Sequence, residues 1–336
     1  MANPTRFHEF FLKKLQEKTE NNSSIAKIVA QVLGISVSTA YKKVRGDVAF
    51  SIEECKVLAT QFDISIDEWI FPESSRLLAY YSRRNDERAS PTFFLSFFHT
   101  ELTKIRQLPD TKLYYSAFDL PMLWYFAKPE LIAFKFFIWN KTNDQEGKLT
   151  TTQFTPELFY KQFPDFKQKC EEIFDLYLQI DTEEYWPGLL FAQLINQFRF
   201  SLESGYISRS TFESLLDSLL NLNDLLFNQA QKGFKVNTKE KPTGGNLSLY
   251  INDLFVTNDT ILVLRNDKPV SVYRSLDNPN FIRVEQKWFL ENVVNWLDSI
   301  RRVSSKISVD GERSRRMYFE ATRLRIEEVR ERAHRL

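Results

Sequence analysis

The densest group of residues able to do chemistry lies between Ser36 and Arg45. Short hydroxyls at Ser36, Ser38 and Thr39 precede Tyr41, Lys42, Lys43 and Arg45, with Val37 between them. On one helix, such side chains donate to and accept from base edges, while the cations pair with phosphates. No acid interrupts the run until Asp47. Catalytic groupings are weak by comparison. The three histidines, His8, His99 and His334, are scattered, and neither an H-E-x-x-H nor a C-x-x-C spacing occurs. Gly244-Gly245 lacks the rest of a phosphate loop and reads as a flexible connection. The acid pairs Glu171-Glu172 and Glu183-Glu184 read as solvated helix surface. The chain is therefore not expected to be an enzyme, and no cofactor or metal is expected.

Elements to position the basic run are legible around it. Phe7, Phe10, Phe11 and Leu15 have helical spacing, and Asn21 to Ser24 form a polar break. Ile25, Ile28, Val29, Val32 and Leu33 share one face of a second helix that Gly34 ends. Ser36 caps a third helix to about Arg45, with Ala40 and Val44 as its anchors. Ser51 and Glu54 make a capping box for a fourth. Ser65 caps a short fifth, carrying Ile66, Trp69 and Ile70.

Residues Ile25 to Gly46 resemble the helix-turn-helix of the Cro/CI (XRE-type) repressor family. Ser51 to Ala59 and Ile64-Ser65-Ile66-Asp67-Glu68-Trp69 are similar to that family's fourth helix and closing segment. The resemblance implies a DNA-binding head whose base contacts fall on Val37, Ser38, Thr39 and Lys42, with phosphate contacts nearer Lys43 and Arg45. Ser36 and Tyr41 complete the candidate DNA-binding set. The resemblance departs at Lys43, where many members carry a large apolar or aromatic side chain; Tyr41 and Val44 are expected to supply that packing.

Charge qualifies the expectation. Residues 1–75 hold nine Lys/Arg against ten Asp/Glu, so the head has no general positive field. Residues 301–336 hold eleven Lys/Arg against six Asp/Glu. The reading preferred for this stretch is a solvated helix face laced with pairs among Arg323, Glu327, Glu331 and Arg335; a phosphate or anion site at Arg313, Arg315 and Arg316 is the alternative.

The rest is expected to be globular. Thirty Phe and only nine Gly favour helices with aromatic cores over a loop-rich catalytic body. The cysteines, Cys55 and Cys170, read as unpaired buried thiols. The most apolar run, Leu131–Trp139, is too short to span a bilayer and contains Lys135. No signal-peptide pattern opens the chain, so a soluble, cytoplasmic protein without membrane contact is expected.

The expected fold is mainly α: a five-helix head at 1–72, a connector at 73–91, and an α+β sensor or dimerisation part at 92–336. Helices are expected at about 120–140, 155–180, 185–204 and 208–232, with two long ones at 285–303 and 311–334. The sheet is expected to be small and antiparallel, built from 112–118 and a meander over 248–275 with turns at Asn258-Asp259 and Asn266-Asp267. A PAS- or GAF-like sensor is one candidate by analogy. Some aromatics of Lys112–Trp139 are candidates to line an apolar pocket. The functional expectation is a sequence-specific DNA-binding transcriptional regulator, acting as a homodimer on double-stranded DNA. A small-molecule or protein effector on the C-terminal part is a candidate partner. The alternative is an adaptor whose head docks a protein.

Overall fold

The structure is a computed structural model that describes residues 7–19, 24–70, 77, 79–81, 91–143, 153–236, 244–254, 258–276 and 280–333. The chain divides into two compact units, Met1–Leu78 and Ala79–Leu336. The expected connector thus ends inside the second unit: Tyr80–Tyr81 is a short edge strand, and most of 73–91 lies outside the described residues.

The first unit holds α1 (Phe7–Lys18), α2 (Ile25–Leu33), α3 (Val37–Arg45), α4 (Ile52–Phe62) and the single turn α5 (Asp67–Ile70). Its core gathers Phe11, Leu15, Val29, Ala30, Ala40 and Leu58. Local chemistry sets the helix ends. Gly34 takes φ 65 and closes α2, its amide bonding to Ala30. Ser36 accepts from the Thr39 amide at 3.1 Å and opens α3. Ser51 and Glu54 form the reciprocal capping box of α4.

The second unit corrects the expected small antiparallel sheet. Its strands are β1 (Tyr80–Tyr81), β2 (Thr111–Ser116), β3 (Asp181–Pro187), β4 (Leu247–Asn252), β5 (Thr260–Arg265), β6 (Lys268–Ser275), β7 (Phe281–Val284) and β8 (Ser305–Lys306). They form one eight-stranded mixed sheet in the order β1-β7-β6-β5-β2-β3-β4-β8. β2, β3 and β4 run parallel, and the remaining pairings are antiparallel.

Parallel neighbours require crossovers. Between β2 and β3 run α7 (Met122–Tyr125), α8 (Pro129–Asn143), α9 (Pro156–Gln162) and α10 (Phe166–Leu178). Between β3 and β4 run α11 (Ala192–Glu203) and α12 (Arg209–Lys232). A helix α6 (Pro91–Gln107) precedes β2, and α13 (Lys287–Arg302) and α14 (Glu312–Ala333) close the chain. An α+β arrangement on a small antiparallel sheet, with its PAS- or GAF-like analogy, is thereby replaced by an α/β body.

Strand alternation splits the sheet's two faces. Ile261 and Val263 of β5 join the main core, whereas Leu262 and Leu264 join a smaller core under α13. Tyr185 and Trp186 of β3 part in the same way. The expected meander is half right. Asn266 and Asp267 do turn β5 into β6, both at positive φ. β4, however, is separated from β5 by β2 and β3, and Asp259 is a tethered residue instead of a hairpin tip.

β3 is not expected from the sequence, which reads Glu183-Glu184 as solvated helix surface and starts a helix at about 185. In the structure Glu183 and Glu184 are buried, at 1% and 0% exposure. Glu184 accepts from Trp124 Nε1 (2.7 Å), Trp186 Nε1 (2.9 Å), Thr182 Oγ1 (2.8 Å) and the Tyr177 hydroxyl. Across the sheet, Glu183 takes Arg301 Nη2 at 2.7 Å and the Tyr185 hydroxyl. A strand with acids facing into both cores has no polar side, so the sequence offers no alternation to read.

The basic C-terminus is structural among the described residues. Arg315 is buried and donates to the carbonyls of Ile307 (2.9 Å) and Val309 (3.1 Å). Arg323 pairs with Asp224, and Arg330 with Glu213 and Asp217 of α12, while Arg316–Glu312 and Arg332–Glu328 are pairs along α14 of the expected i,i+4 kind; Arg335 lies outside the described residues. Cys55 and Cys170 are buried free thiols. No described helix is long and apolar enough to cross a membrane.

Candidate nucleic-acid interface

The face that α3 presents follows from its spacing. At 100° per residue, Val37, Tyr41, Arg45, Ser38 and Lys42 fall within one continuous arc, Ala40 and Lys43 lie on the opposite side, and Val44 lies at the boundary beside Val37. Burial agrees: the first five are exposed, Ala40 and Lys43 are buried, and Val44 is half-buried. Thr39, at the edge of the arc, is also half-buried, and its hydroxyl lies 2.8 Å from Ser36 Oγ. Ser36 Oγ also meets Ser38 Oγ at 3.0 Å. The N-cap hydroxyl is therefore shared among three groups of two neighbours, the Ser38 hydroxyl and the Thr39 hydroxyl and amide.

Lys43 does not belong with the exposed set. Its ammonium donates to Glu54 Oε2 at 2.8 Å and to the Ala49 carbonyl at 3.0 Å. It also lies 5.7 Å from the centroid of the Phe50 ring. The Lys43 hydrogen bond holds the Glu54 carboxyl below its usual range, against a smaller upward push from burial. The same Glu54 oxygen accepts the Ser51 amide at 2.7 Å, so Lys43 locks the cap of α4 onto α3. The site where an apolar residue was expected is filled by the lysine stem itself. Tyr41 does not supply that packing; it is 48% exposed, and its hydroxyl lies 3.2 Å from Ser24 Oγ.

Ser24, the end of the expected polar break, is a contact of the exposed α3 face that sequence reading does not indicate. It stands at the start of α2 without a side-chain capping bond, and its hydroxyl instead meets Tyr41. Arg45 is exposed and pairs with Asp47, which partly neutralises the basic run. Lys42 is exposed, while its carbonyl accepts the Asp47 amide at 2.9 Å in the Gly46 turn. His8 supports that turn: its ring stacks on Phe50 at 5.7 Å, and Nε2 lies 3.4 Å from the Val44 carbonyl.

The geometry is two helices joined across a left-handed glycine, the second offering a short polar and basic face. A family model, the BetR domain, matches residues 10–76. This N-terminal unit is a helix-turn-helix-like domain of the kind found in transcription regulators. The match lies within the first unit, ending two residues before it does, and leaves the α/β body unassigned. No curated protein matches the chain.

Proposed function

We propose that the chain is a sequence-specific DNA-binding transcription regulator that reads the major groove with α3. The observation that carries this reading is the continuous exposed arc of Val37, Ser38, Tyr41, Lys42 and Arg45 on the second helix of a BetR-type head. Val37 suits a thymine methyl, Ser38 and Tyr41 suit base edges or phosphate, and Lys42 and Arg45 suit phosphates. Thr39 contributes through the N-cap, and Lys43 holds the helix in place from behind. The docking is of the Cro/CI type, with the first turn of α3 deepest in the groove. On this reading the chain is not an enzyme.

The head carries slightly more acids than bases, so one head alone binds weakly. We assign the additional affinity to a homodimer whose two heads read half-sites about one helical turn apart. Met317, Ala321 and Leu324 form an exposed apolar stripe on α14, which suits the dimer contact. Sensing belongs to the α/β body.

The test is selection from a random duplex library with the full chain, followed by fluorescence anisotropy on the enriched duplex at several salt concentrations. An enriched motif, a steep salt dependence, and a loss of about tenfold or more in a Tyr41→Ala/Lys42→Ala variant are expected. Absence of any enriched motif, with salt-insensitive binding, would contradict the reading.

A protein-docking head is the second reading. Val37, Tyr41, Val48 and Ile52 are exposed apolar side chains on a near-neutral unit, which suits a protein partner. In that case charge removal at Lys42 leaves partner binding intact.

A further inference from the structure

The carboxyl ends of parallel strands are where open α/β sheets bind ligands, and the body has a cleft there. The loop after β2 brings Phe118 and Asp119. α8 brings Lys135 and Trp139, α11 brings Gln197, and the segment before β5 brings Asp259. These residues enclose a cavity of about 150 Å³. An engineered cavity of similar size takes one benzene, so the space suits a ligand of roughly five or six non-hydrogen atoms.

The two carboxylates differ in how they are satisfied. Asp259 is tied in place: Oδ1 accepts the Phe118 amide at 2.9 Å and Oδ2 the Tyr115 hydroxyl at 3.2 Å. Asp119 is only 9% exposed, yet neither of its oxygens has a hydrogen-bond partner among the described residues. Gln197 Oε1 is likewise buried without one. The Lys135 ammonium sits 4.3 Å from the centroid of the Tyr125 ring, and no ion pair joins it to either carboxylate among the described residues. Buried polar groups in folded proteins are ordinarily bonded. Here two acceptors, one of them a carboxylate, face a cavity without a well-formed hydrogen bond, although the amides of Phe191 and Leu194 and the Tyr125 hydroxyl stand near Asp119.

With both acids ionised, two carboxylates and one ammonium leave the cleft one negative charge in excess. We propose that the cleft binds a small molecule bearing a protonated amine, whose N–H groups donate to Asp119 and to Gln197 Oε1 while its short carbon chain lies against Trp139 and Phe118. A single cation balances the charge, and an amine supplies charge-assisted donors to two acceptors that have no well-formed hydrogen bond. Lys135 disfavours a bare divalent cation by repulsion.

The charge state of Asp119 gives the binding a pH dependence. Burial raises its pKa to about 6; Lys135 and the α11 amides of Phe191 and Leu194 oppose the rise, and Asp259 adds to it. Tyr125 and Tyr318 also face this carboxylate and stay neutral, because burial pushes both phenols well above their usual range. Amine binding needs the ionised acid, so it weakens as pH falls through 6.

The site lies wholly in the body and is independent of the DNA reading, so its test contains no DNA. Isothermal titration of the full chain uses n-butylamine, 1-butanol and butyrate, at about pH 7.5 and pH 5.0. Saturable binding of butylamine is expected at the higher pH, with butanol and butyrate at least about tenfold weaker. At pH 5.0 about a tenth of Asp119 is ionised, so butylamine binding should weaken about tenfold. Asp119→Asn should lose at least about tenfold at pH 7.5 and lose the pH dependence. If that variant does not fold, Gln197→Leu should still weaken butylamine severalfold. Three results would overturn the proposal: no saturable butylamine binding at either pH, equal binding of butanol, or an Asp119→Asn protein that binds butylamine like the wild type.

Discussion

Two lysines, buried Lys43 of the head and half-buried Lys135 of the body, are treated in opposite ways. Lys43 of the head leaves solvent and finds a carboxylate at 2.8 Å, a carbonyl at 3.0 Å and an aromatic face. Lys135 of the body is half-buried beside two carboxylates and closes an ion pair with neither among the described residues. Burial of charge is costly in both places. Where partners are complete, the charge fastens two elements together and is scaffold. Where they are incomplete, the cost is carried by the fold, and a ligand is the means to relieve it.

The comparison sharpens at its closed extreme, Glu184, which takes four donors inside the main core. Glu184→Ala should cost the most, about 3 kcal/mol or more, because two indoles, a phenol and a hydroxyl lose their acceptor at once. Chemical denaturation followed by tryptophan fluorescence reads this directly, since Trp124 and Trp186 are both partners. A loss below about 1 kcal/mol would mean that the network is not closed.

Lys43→Ala comes next. It leaves Glu54 without its cation and removes the stem that packs behind α3, for a cost of about 1–3 kcal/mol. Hydrogen exchange of the full chain should show the loosening in α3 and α4 and leave the β-sheet unchanged.

Asp119→Asn should move stability the other way. The folded pKa of about 6 lies above the ordinary 3.8, so the folded chain holds the proton more tightly. Wild-type stability from this group is present below pH 3.8 and is lost as pH rises through 6. Asparagine does not ionise, so the variant should be the more stable by about 1–2 kcal/mol at pH 7, with the difference fading toward pH 4. A variant destabilised at pH 7 would make Asp119 a structural cap of α11.

Lys42→Ala should have the smallest effect on stability, within about 0.5 kcal/mol, because the side chain is exposed.

The head was legible because its determinants are local. Gly34, Ser36 and the Ser51–Glu54 box each act within one helix turn, and each ends or starts a helix as read. The placement of Lys43 was also within reach, since it stands three residues from buried Ala40 on the same side of α3. The word "basic" masked what the spacing indicated. The body was less legible because its determinants are distant. β3 pairs with β2 and β4 from far along the chain, and its acids are satisfied by Trp124, Tyr177 and Arg301. No local pattern encodes those partners, so Glu183 and Glu184 looked like solvated helix surface. Asp119 left a trace in its position directly after a strand and before Pro121, and Lys135 in its isolation within an apolar run. Neither trace identifies the other residue as its neighbour. The aromatics of Lys112–Trp139 are mostly core, and the cleft beside them is polar.

The adjacent lysines of α3 provide the most direct test of the account. Lys42→Ala and Lys43→Met are each measured for affinity to the selected duplex across a salt series, with hydrogen exchange of α3 and α4 on the free protein. Lys42→Ala should weaken binding severalfold and reduce the salt slope by about one, with exchange unchanged. Lys43→Met should speed exchange in α3 and α4 while keeping the wild-type salt slope. An unchanged affinity and salt slope in Lys42→Ala would contradict the assignment of that exposed face to DNA.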